Sequence, residues 1–99
     1  RDAKLLEEVG AFCMVLECVQ TSLAKYVTKS VSVPTIGIGA SNNCDGQILV
    51  FDDFIGLNPI KFRFVKKYLN IKAEISKAVS KYVNEVKTRK FPSKKYSFN

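Results

Sequence analysis

The chain contains no histidine, no tryptophan and only three cysteines among its 99 residues. Cys13, Cys18 and Cys44 include no close pair, whereas zinc sites need spacings such as C-x₂-C with histidine partners. The odd number of cysteines, without a secretory leader, also argues against a disulfide framework. We therefore expect three reduced, mostly buried thiols in a cytoplasmic protein.

Long apolar runs are also missing from the chain. No stretch approaches the roughly 20 apolar residues that a helix needs to cross a bilayer, so we expect no membrane partner. Apolar residues make up 46% of the chain and charged residues 25%, which is ordinary for a soluble globular protein. Because the chain is short and begins at Arg1 without an initiator methionine, we expect residues 1–99 to form a single partial domain of a longer product.

Positive charge is concentrated in the second part of the sequence. Residues 1–60 contain four basic and seven acidic side chains, whereas residues 61–99 contain twelve basic and two acidic ones. Aromatic residues interleave with these cations, a pattern typical of nucleic-acid-binding modules. No RNA- or DNA-binding motif accompanies the charge, so a solvated helix face is the favoured interpretation and a nucleic-acid partner is the less favoured one.

Two apolar segments flank a segment with helical periodicity. Residues 11–16 are continuously apolar and of strand length, which favours a strand buried on both faces. Residues 21–30 follow a helical period, with Thr21 or Ser22 as a candidate N-cap, and residues 35–39 form a second apolar strand. A strand, a helix and a second strand at this spacing predict a βαβ unit with parallel strands and a right-handed crossover.

The rest of the chain is predicted to be mainly helical. Helices are expected over residues 3–9, 62–68 and 71–86, residues 41–46 form the clearest loop, and residues 47–57 are ambiguous between a strand and short helical turns. Two strands cannot make a self-sufficient sheet. The sequence therefore predicts part of a larger parallel barrel or doubly wound sheet.

Glu17 is the first candidate for chemistry. It follows six apolar residues, so it is expected where a buried strand ends, and barrel enzymes carry their catalytic groups at strand ends. Partial desolvation there would make the carboxylate a competent general base. On position alone, a solvated carboxylate at a strand end, paired with Lys25 or with an upstream cation, is equally compatible with the sequence.

Glycines and acids near the second strand give weaker signals. Gly37 and Gly39 could let the backbone approach a ligand, or could relieve crowding between strands. The third glycine of a dinucleotide-binding fingerprint is missing, which excludes a Rossmann site. Asp45, Asp52 and Asp53 do not have metal-site spacing and are expected to be solvated loop acids.

Four segments in the same order resemble the ketopantoate hydroxymethyltransferase family. They are Leu-Glu-Cys-Val at residues 16–19, Leu-Ala-Lys at 23–25, Ile-Gly-Ile-Gly-Ala at 36–40 and Asp-Gly-Gln-Ile-Leu-Val at 45–50. The likeness continues to the end of the chain without large gaps. It implies an α/β fold, the C-terminal part of a (β/α)₈ TIM barrel of the phosphoenolpyruvate/pyruvate superfamily, with two parallel strands plus helices. Residues 1–60 would hold the last barrel strands and their connecting helix, and residues 61–99 the basic terminal helices.

The resemblance also implies an activity. The family transfers a one-carbon unit from 5,10-methylenetetrahydrofolate to 3-methyl-2-oxobutanoate, giving 2-dehydropantoate in pantothenate and coenzyme A biosynthesis. Glu17 falls on the glutamate taken as the base that removes the C3 proton, and Gly37, Gly39 and Ser41 fall beside the substrate. A Mg²⁺ ion holds the keto acid and stabilises its enolate, but its ligands lie on earlier strands, so no metal ligand is expected in this chain.

The family likeness further implies a homo-oligomer, and the isolated 99-residue chain is expected to be inactive. Three positions depart from the family pattern. Gln20 replaces a common proline, Ser41 replaces the last glycine of the second strand end, and Asp52 stands where a histidine is usual. Two alternative functions remain, namely a non-catalytic remnant and a small basic nucleic-acid-binding module that uses residues 61–99.

Overall fold

The computed structural model describes residues 1–98 as a small α/β structure. Its elements are α1 (Asp2–Glu8), β1 (Met14–Glu17), α2 (Thr21–Ser30), β2 (Thr35–Ile38), β3 (Gly46–Gln47), α3 (Phe51–Phe54), α4 (Ile71–Lys87) and a 3₁₀ turn at Lys94–Tyr96. The strands form one parallel sheet in the order β1-β2-β3, which confirms a parallel β1–α2–β2 unit. The expected number of two strands is wrong, because β3 adds a third that is only two residues long.

One face of the sheet is covered by α2 and by the loop before β3. Thr35 is fully buried, and its hydroxyl oxygen lies 2.8 Å from the hydroxyl oxygen of Thr28 on α2. The Asp45 carboxylate accepts hydrogen bonds from the Thr35 amide at 2.8 Å and from the Thr35 hydroxyl at 3.3 Å. Thr35 therefore joins α2, β2 and the loop. Side chains two positions apart on a strand share a face, so Gly37 also lies on this covered face.

The opposite face of the sheet is exposed among the described residues. The register places Val15 beside Ile36 and Glu17 beside Ile38, so these four residues share this face. Val15 is 56% exposed, and Glu17 is exposed as well. Within residues 1–98, α2 shields only one face of the first strand, so its burial on both faces stays a prediction for a complete barrel.

The Glu7 side chain connects α1 to the turn before β2. Its carboxylate oxygen Oε1 accepts hydrogen bonds from the Ser32 amide at 2.6 Å, from the Ser32 hydroxyl and from the Val33 amide at 3.3 Å. The Lys4 ammonium lies 3.8 Å from the other oxygen. These hydrogen bonds hold the pKa of Glu7 below its ordinary value. The bond from the Ser32 hydroxyl has the largest effect, and the bond from the Ser32 amide has the next largest.

This lowered pKa predicts how acidity affects the fold. A carboxyl group whose pKa is lower in the folded state stabilises the fold above its ordinary pKa, and this stabilisation is lost as the pH falls through the folded-state value. We expect Glu7→Gln to reduce the pH dependence of stability, whereas Glu8→Gln, an exposed neighbour on α1, leaves it unchanged. Urea unfolding midpoints between about pH 3 and pH 7 measure the effect. Identical pH profiles for both variants would contradict this account.

Helix α4 is the longest helix, and it confirms the predicted helix over residues 71–86. The Asn70 side chain caps it by accepting a hydrogen bond from the Ala73 amide at 3.3 Å. Its apolar stripe stays exposed, with Val79 at 54% and Tyr82 at 57%.

The radius of gyration of the structure is 22.8 Å, against about 13 Å for a compact domain of this length. No helix in the described residues, α4 included, is long and apolar enough to cross a membrane.

The predicted helix over residues 62–68 is wrong. This segment is irregular, with a single turn in which the Val65 amide donates to the Phe62 carbonyl at 3.1 Å. At its end, the Tyr68 amide donates to the carbonyl of Phe54 on α3 at 2.7 Å. A contact with a distant element therefore takes the place of a helical hydrogen bond, and the segment folds back towards the sheet.

The structure also tests the predicted cap of α2 and the predicted conformation of residues 47–57. Gln20 is the N-cap residue of α2 and its side chain forms no cap hydrogen bond, so the prediction that Thr21 or Ser22 caps the helix is wrong. The ambiguous residues 47–57 contain the end of β3 followed by the short helix α3. The proposed division at residue 60 stays a prediction.

Candidate functional site at the ends of the strands

Glu17 is the last residue of β1 and lies at the carboxyl end of the sheet. Its side chain is on the face opposite α2, because side chains alternate along a strand. It is exposed, and no hydrogen bond or ion pair with another residue in 1–98 engages its carboxylate. The strand-end position is the one predicted from the sequence, and the role as a base stays a prediction.

Cys18 turns the chain sharply after Glu17. Its φ of 52° lies in the left-handed region, which is uncommon for residues other than glycine. The Cys18 amide donates to the Ile38 carbonyl at 2.9 Å, so the strands stay paired up to this turn. Its thiol is exposed because the residue leaves the strand, whereas Cys44 is buried and Cys13 is half-buried. The expectation of mostly buried thiols is therefore wrong for Cys18.

Gly39 allows the segment after α3 to approach the end of β2. Its φ is 64°, and a Cβ atom at this position would lie 2.7 Å from Cγ of Phe64. The left-handed backbone conformation favours glycine, and the contact with Phe64 leaves no room for a Cβ atom. Gly39 is thus a structural necessity at this strand end, and its proximity to substrate stays a prediction.

Gly37 has a different environment from Glu17. It is buried on the covered face, where a Cβ atom would lie 3.0 Å from Nε2 of Gln47 and 3.1 Å from Sγ of Cys44. Its missing side chain makes room for these two residues. The structure therefore places Glu17 and Gly37 on opposite faces of the sheet, so Gly37 contributes packing here.

Ser41 is built into the loop between β2 and β3. Its hydroxyl accepts hydrogen bonds from the Asn43 amide at 3.1 Å and from the Asn43 side chain at 3.0 Å. Its carbonyl accepts one from Nε2 of Gln47 at 2.6 Å. In residues 1–98 positive φ at non-glycine positions occurs at Cys18 and Arg89, so the backbone at Ser41 does not adopt the conformation that favours glycine.

A cavity of about 590 Å³ lies at this end of the sheet. It is lined by residues 18–20 after β1, residues 39–42 after β2, Gln47, Arg63 and Phe64. Gly39 and Ser41 are thus the two predicted site residues that the cavity brings together. Sequence reasoning missed Gln47 because the two residues of β3 are too few to show a strand pattern. It missed Arg63 because the return of the irregular segment to the sheet leaves no local signal.

The acidic residues after β2 do not form a metal site within the described part of the chain. No group of three or more His, Cys, Asp or Glu side chains in residues 1–98 could jointly hold an ion. Asp53 is buried, and its carboxylate accepts a hydrogen bond from the Asn58 side chain at 2.7 Å. The prediction of a solvated acid is therefore wrong for Asp53, while Asp52 is exposed and Asp45 is exposed but bonded to Thr35.

This sheet has a carboxylate and a cavity at the carboxyl ends of its parallel strands. Such an arrangement is typical of α/β enzymes. The family model described as ketopantoate hydroxymethyltransferase matches residues 1–94. The chain belongs to the ketopantoate hydroxymethyltransferase family, which confirms the resemblance seen in the sequence.

Individual relatives give the extent of the match. The chain is 61% identical over 98 residues to a 3-methyl-2-oxobutanoate hydroxymethyltransferase of Pelagibacter ubique, covering 99% of the chain and 38% of that protein. A Clostridium botulinum protein of the same name is 51% identical over 98 residues, covering 98% of the chain and 36% of the relative. One from Enterococcus faecalis is 50% identical over 99 residues, covering 99% and 36%. The chain therefore spans little more than a third of the length of these relatives.

Proposed function

We propose that this chain acts within a complete (β/α)₈ barrel that transfers a one-carbon unit from 5,10-methylenetetrahydrofolate to 3-methyl-2-oxobutanoate, giving 2-dehydropantoate. Membership of the family and the names of its relatives support the activity. The parallel β1–α2–β2 unit, with its helix on one face only, fits a sector of such a barrel. The observation that carries the proposal is the Glu17 carboxylate at the end of β1, which no other residue in 1–98 engages.

In this proposal Glu17 removes the C3 proton of the keto acid. A carboxylate oxygen of Glu17 takes the proton, and the electron pair of the broken C–H bond forms an enolate. The enolate carbon then bonds to the one-carbon unit, whose two C–N bonds to the folate break. Water supplies the oxygen of the new hydroxymethyl group. Tetrahydrofolate leaves, and its two nitrogens take up the proton held by Glu17 and one proton of the water. Because no described residue engages the Glu17 carboxylate, its lone pairs are free to accept the proton. The exposed sheet face around Glu17 is the face that would line the barrel interior.

Mg²⁺ is the cofactor that the family resemblance implies. Residues 1–98 do not fit a site for it, since they offer no group of three or more side chains of metal-ligating type. No step of the proposed mechanism for this chain is therefore routed through the metal.

The partners and the location remain part of the proposal. A homo-oligomer would bury the exposed apolar stripe of α4, and burial against the rest of its own barrel would account for the stripe equally well. The cytoplasmic location and the nucleic-acid alternative for residues 61–99 stay predictions.

A chimera tests the proposed activity. In it, the chain replaces the 98-residue segment of the Pelagibacter ubique relative to which it is 61% identical, so that a complete protein surrounds the sheet. We expect the chimera to form 2-dehydropantoate at a rate that depends on both substrates. The unaltered relative serves as the positive control. A folded chimera that forms no product would contradict the proposal and favour the non-catalytic remnant.

A further inference from the structure

Among residues 1–98, the lining of the cavity at the ends of β1 and β2 contains a single charged residue. Its other lining groups are apolar or neutral, and Gln20, Asn42 and Gln47 supply the polar side-chain amides. That charged residue is Arg63, and arginine stays protonated throughout the physiological range. A concave site with one permanent cation and no acid favours an anionic ligand. Its volume of about 590 Å³ is also within the usual range of small-molecule sites.

The neighbours of Arg63 hold it at this cavity. Phe64 packs against Gly39, where no Cβ atom intervenes, and the rings of Phe62 and Phe64 stack with centroids 5.6 Å apart. The Val65 amide closes a turn around Arg63 by donating to the Phe62 carbonyl at 3.1 Å. The Arg63 side chain itself is exposed and forms no ion pair within residues 1–98. Its backbone is therefore fixed while its guanidinium is free for a ligand.

We propose that Arg63 is a specificity-determining residue that binds a carboxylate of a substrate in this cavity. The inference rests on the proposed function, because it states which part of those substrates reaches the cavity. The planar guanidinium matches the two oxygens of a carboxylate, and such paired hydrogen bonds are among the strongest that a side chain forms. Two sources of this chemistry are present in the proposed reaction: the carboxylate of the keto acid and the glutamyl carboxylates of the folate.

Three variants of the chimera test the proposal. Arg63→Gln removes the charge, Arg63→Lys keeps the charge but loses the planar geometry, and Lys67→Gln removes one charge from the same segment outside the cavity lining. We expect Arg63→Gln to raise the KM for one substrate by about ten- to hundredfold with little change in kcat. The reason is that the bound substrate and the transition state both lose the same interaction with the guanidinium. Arg63→Lys recovers part of this loss, and Lys67→Gln leaves both KM values unchanged.

The choice of substrate distinguishes the two carboxylate sources. A higher KM for 3-methyl-2-oxobutanoate alone assigns Arg63 to the keto acid. A higher KM for the folate, which disappears with a pteroate analogue that lacks the glutamyl group, assigns it to the glutamyl end. Unchanged KM values for both substrates in an active Arg63→Gln chimera would overturn the inference.

Equilibrium binding separates this inference from the proposed function. If the chimera forms no product, titration calorimetry of the keto acid and of tetrahydrofolate still compares Arg63→Gln with Lys67→Gln. Weaker binding in the Arg63 variant alone supports the subsite even if the proposed activity fails. Equal affinities in the two variants would contradict the proposed carboxylate subsite at Arg63.

Discussion

We expect the Glu17→Gln chimera to form product with a kcat about 10²- to 10⁴-fold below that of the unaltered chimera, the usual effect of losing a general base. Glutamine keeps the size of the side chain, but its neutral amide cannot take the C3 proton. Glu17 is exposed and makes no hydrogen bond to another described residue, so the substitution removes no internal contact of the chain. Initial rates at saturating folate give kcat, and we expect the KM for the keto acid to change little.

Two further variants control for charge and for position. Glu8→Gln removes an exposed glutamate from α1 by the same chemical change and should retain full activity. Glu17→Asp keeps a carboxylate but withdraws it by one methylene group, so it should retain part of the activity. If kcat of the Glu17→Gln chimera stayed within about threefold of the unaltered value, a residue other than Glu17 would have to be the base.

A methyl group at Gly39 should disturb both the fold and the cavity. The new Cβ atom of Gly39→Ala would lie 2.7 Å from Cγ and 3.0 Å from Cβ of Phe64, and the φ of 64° disfavours alanine. Because those atoms lie near the root of the Phe64 side chain, the turn that carries Arg63 must move. We expect a loss of about 2–4 kcal/mol in the free energy of unfolding, together with weaker substrate binding. Denaturant unfolding and KM measurements on the chimera test this.

Gly10→Ala is the matched control for backbone strain. Gly10 also has a positive φ, 104°, but no atom lies within 4 Å of the position of its Cβ. It should lose only the backbone contribution, about 1–3 kcal/mol, and leave KM unchanged. The double variant Gly39→Ala/Phe64→Ala should bind substrate no better than Gly39→Ala alone while recovering part of the lost stability. Equal effects of the two glycine substitutions would show that the contact with Phe64 contributes nothing.

Local periodicity predicts those parts of the fold that are long enough to display it. The apolar stripe of α4 and the helical period of α2 both predict the bounds of these helices to within one residue. The two residues of β3 are too few to show any period. The segment over residues 62–68 has an apolar and basic pattern typical of a helix, but its backbone bonds to α3 instead, and tertiary contacts of this kind override local propensity.

The sequence reveals the candidate site only at the end of the first strand, β1. Six apolar residues followed by Glu17 place a carboxylate at a strand end. The left-handed turn at Cys18 gives no such signal, since cysteine is not a residue type that favours this conformation. Arg63 reaches the cavity because Phe64 fits over Gly39, a match between distant positions that composition and spacing do not reveal.

The most direct test of the central claim is exchange of the C3 proton of 3-methyl-2-oxobutanoate with D₂O, followed by proton NMR with the folate omitted. This half-reaction reports proton removal without the later transfer step. We expect the unaltered chimera to catalyse the exchange and the Glu17→Gln chimera to show only the rate of buffer. Equal exchange rates in the two proteins would contradict the assignment of Glu17 as the base.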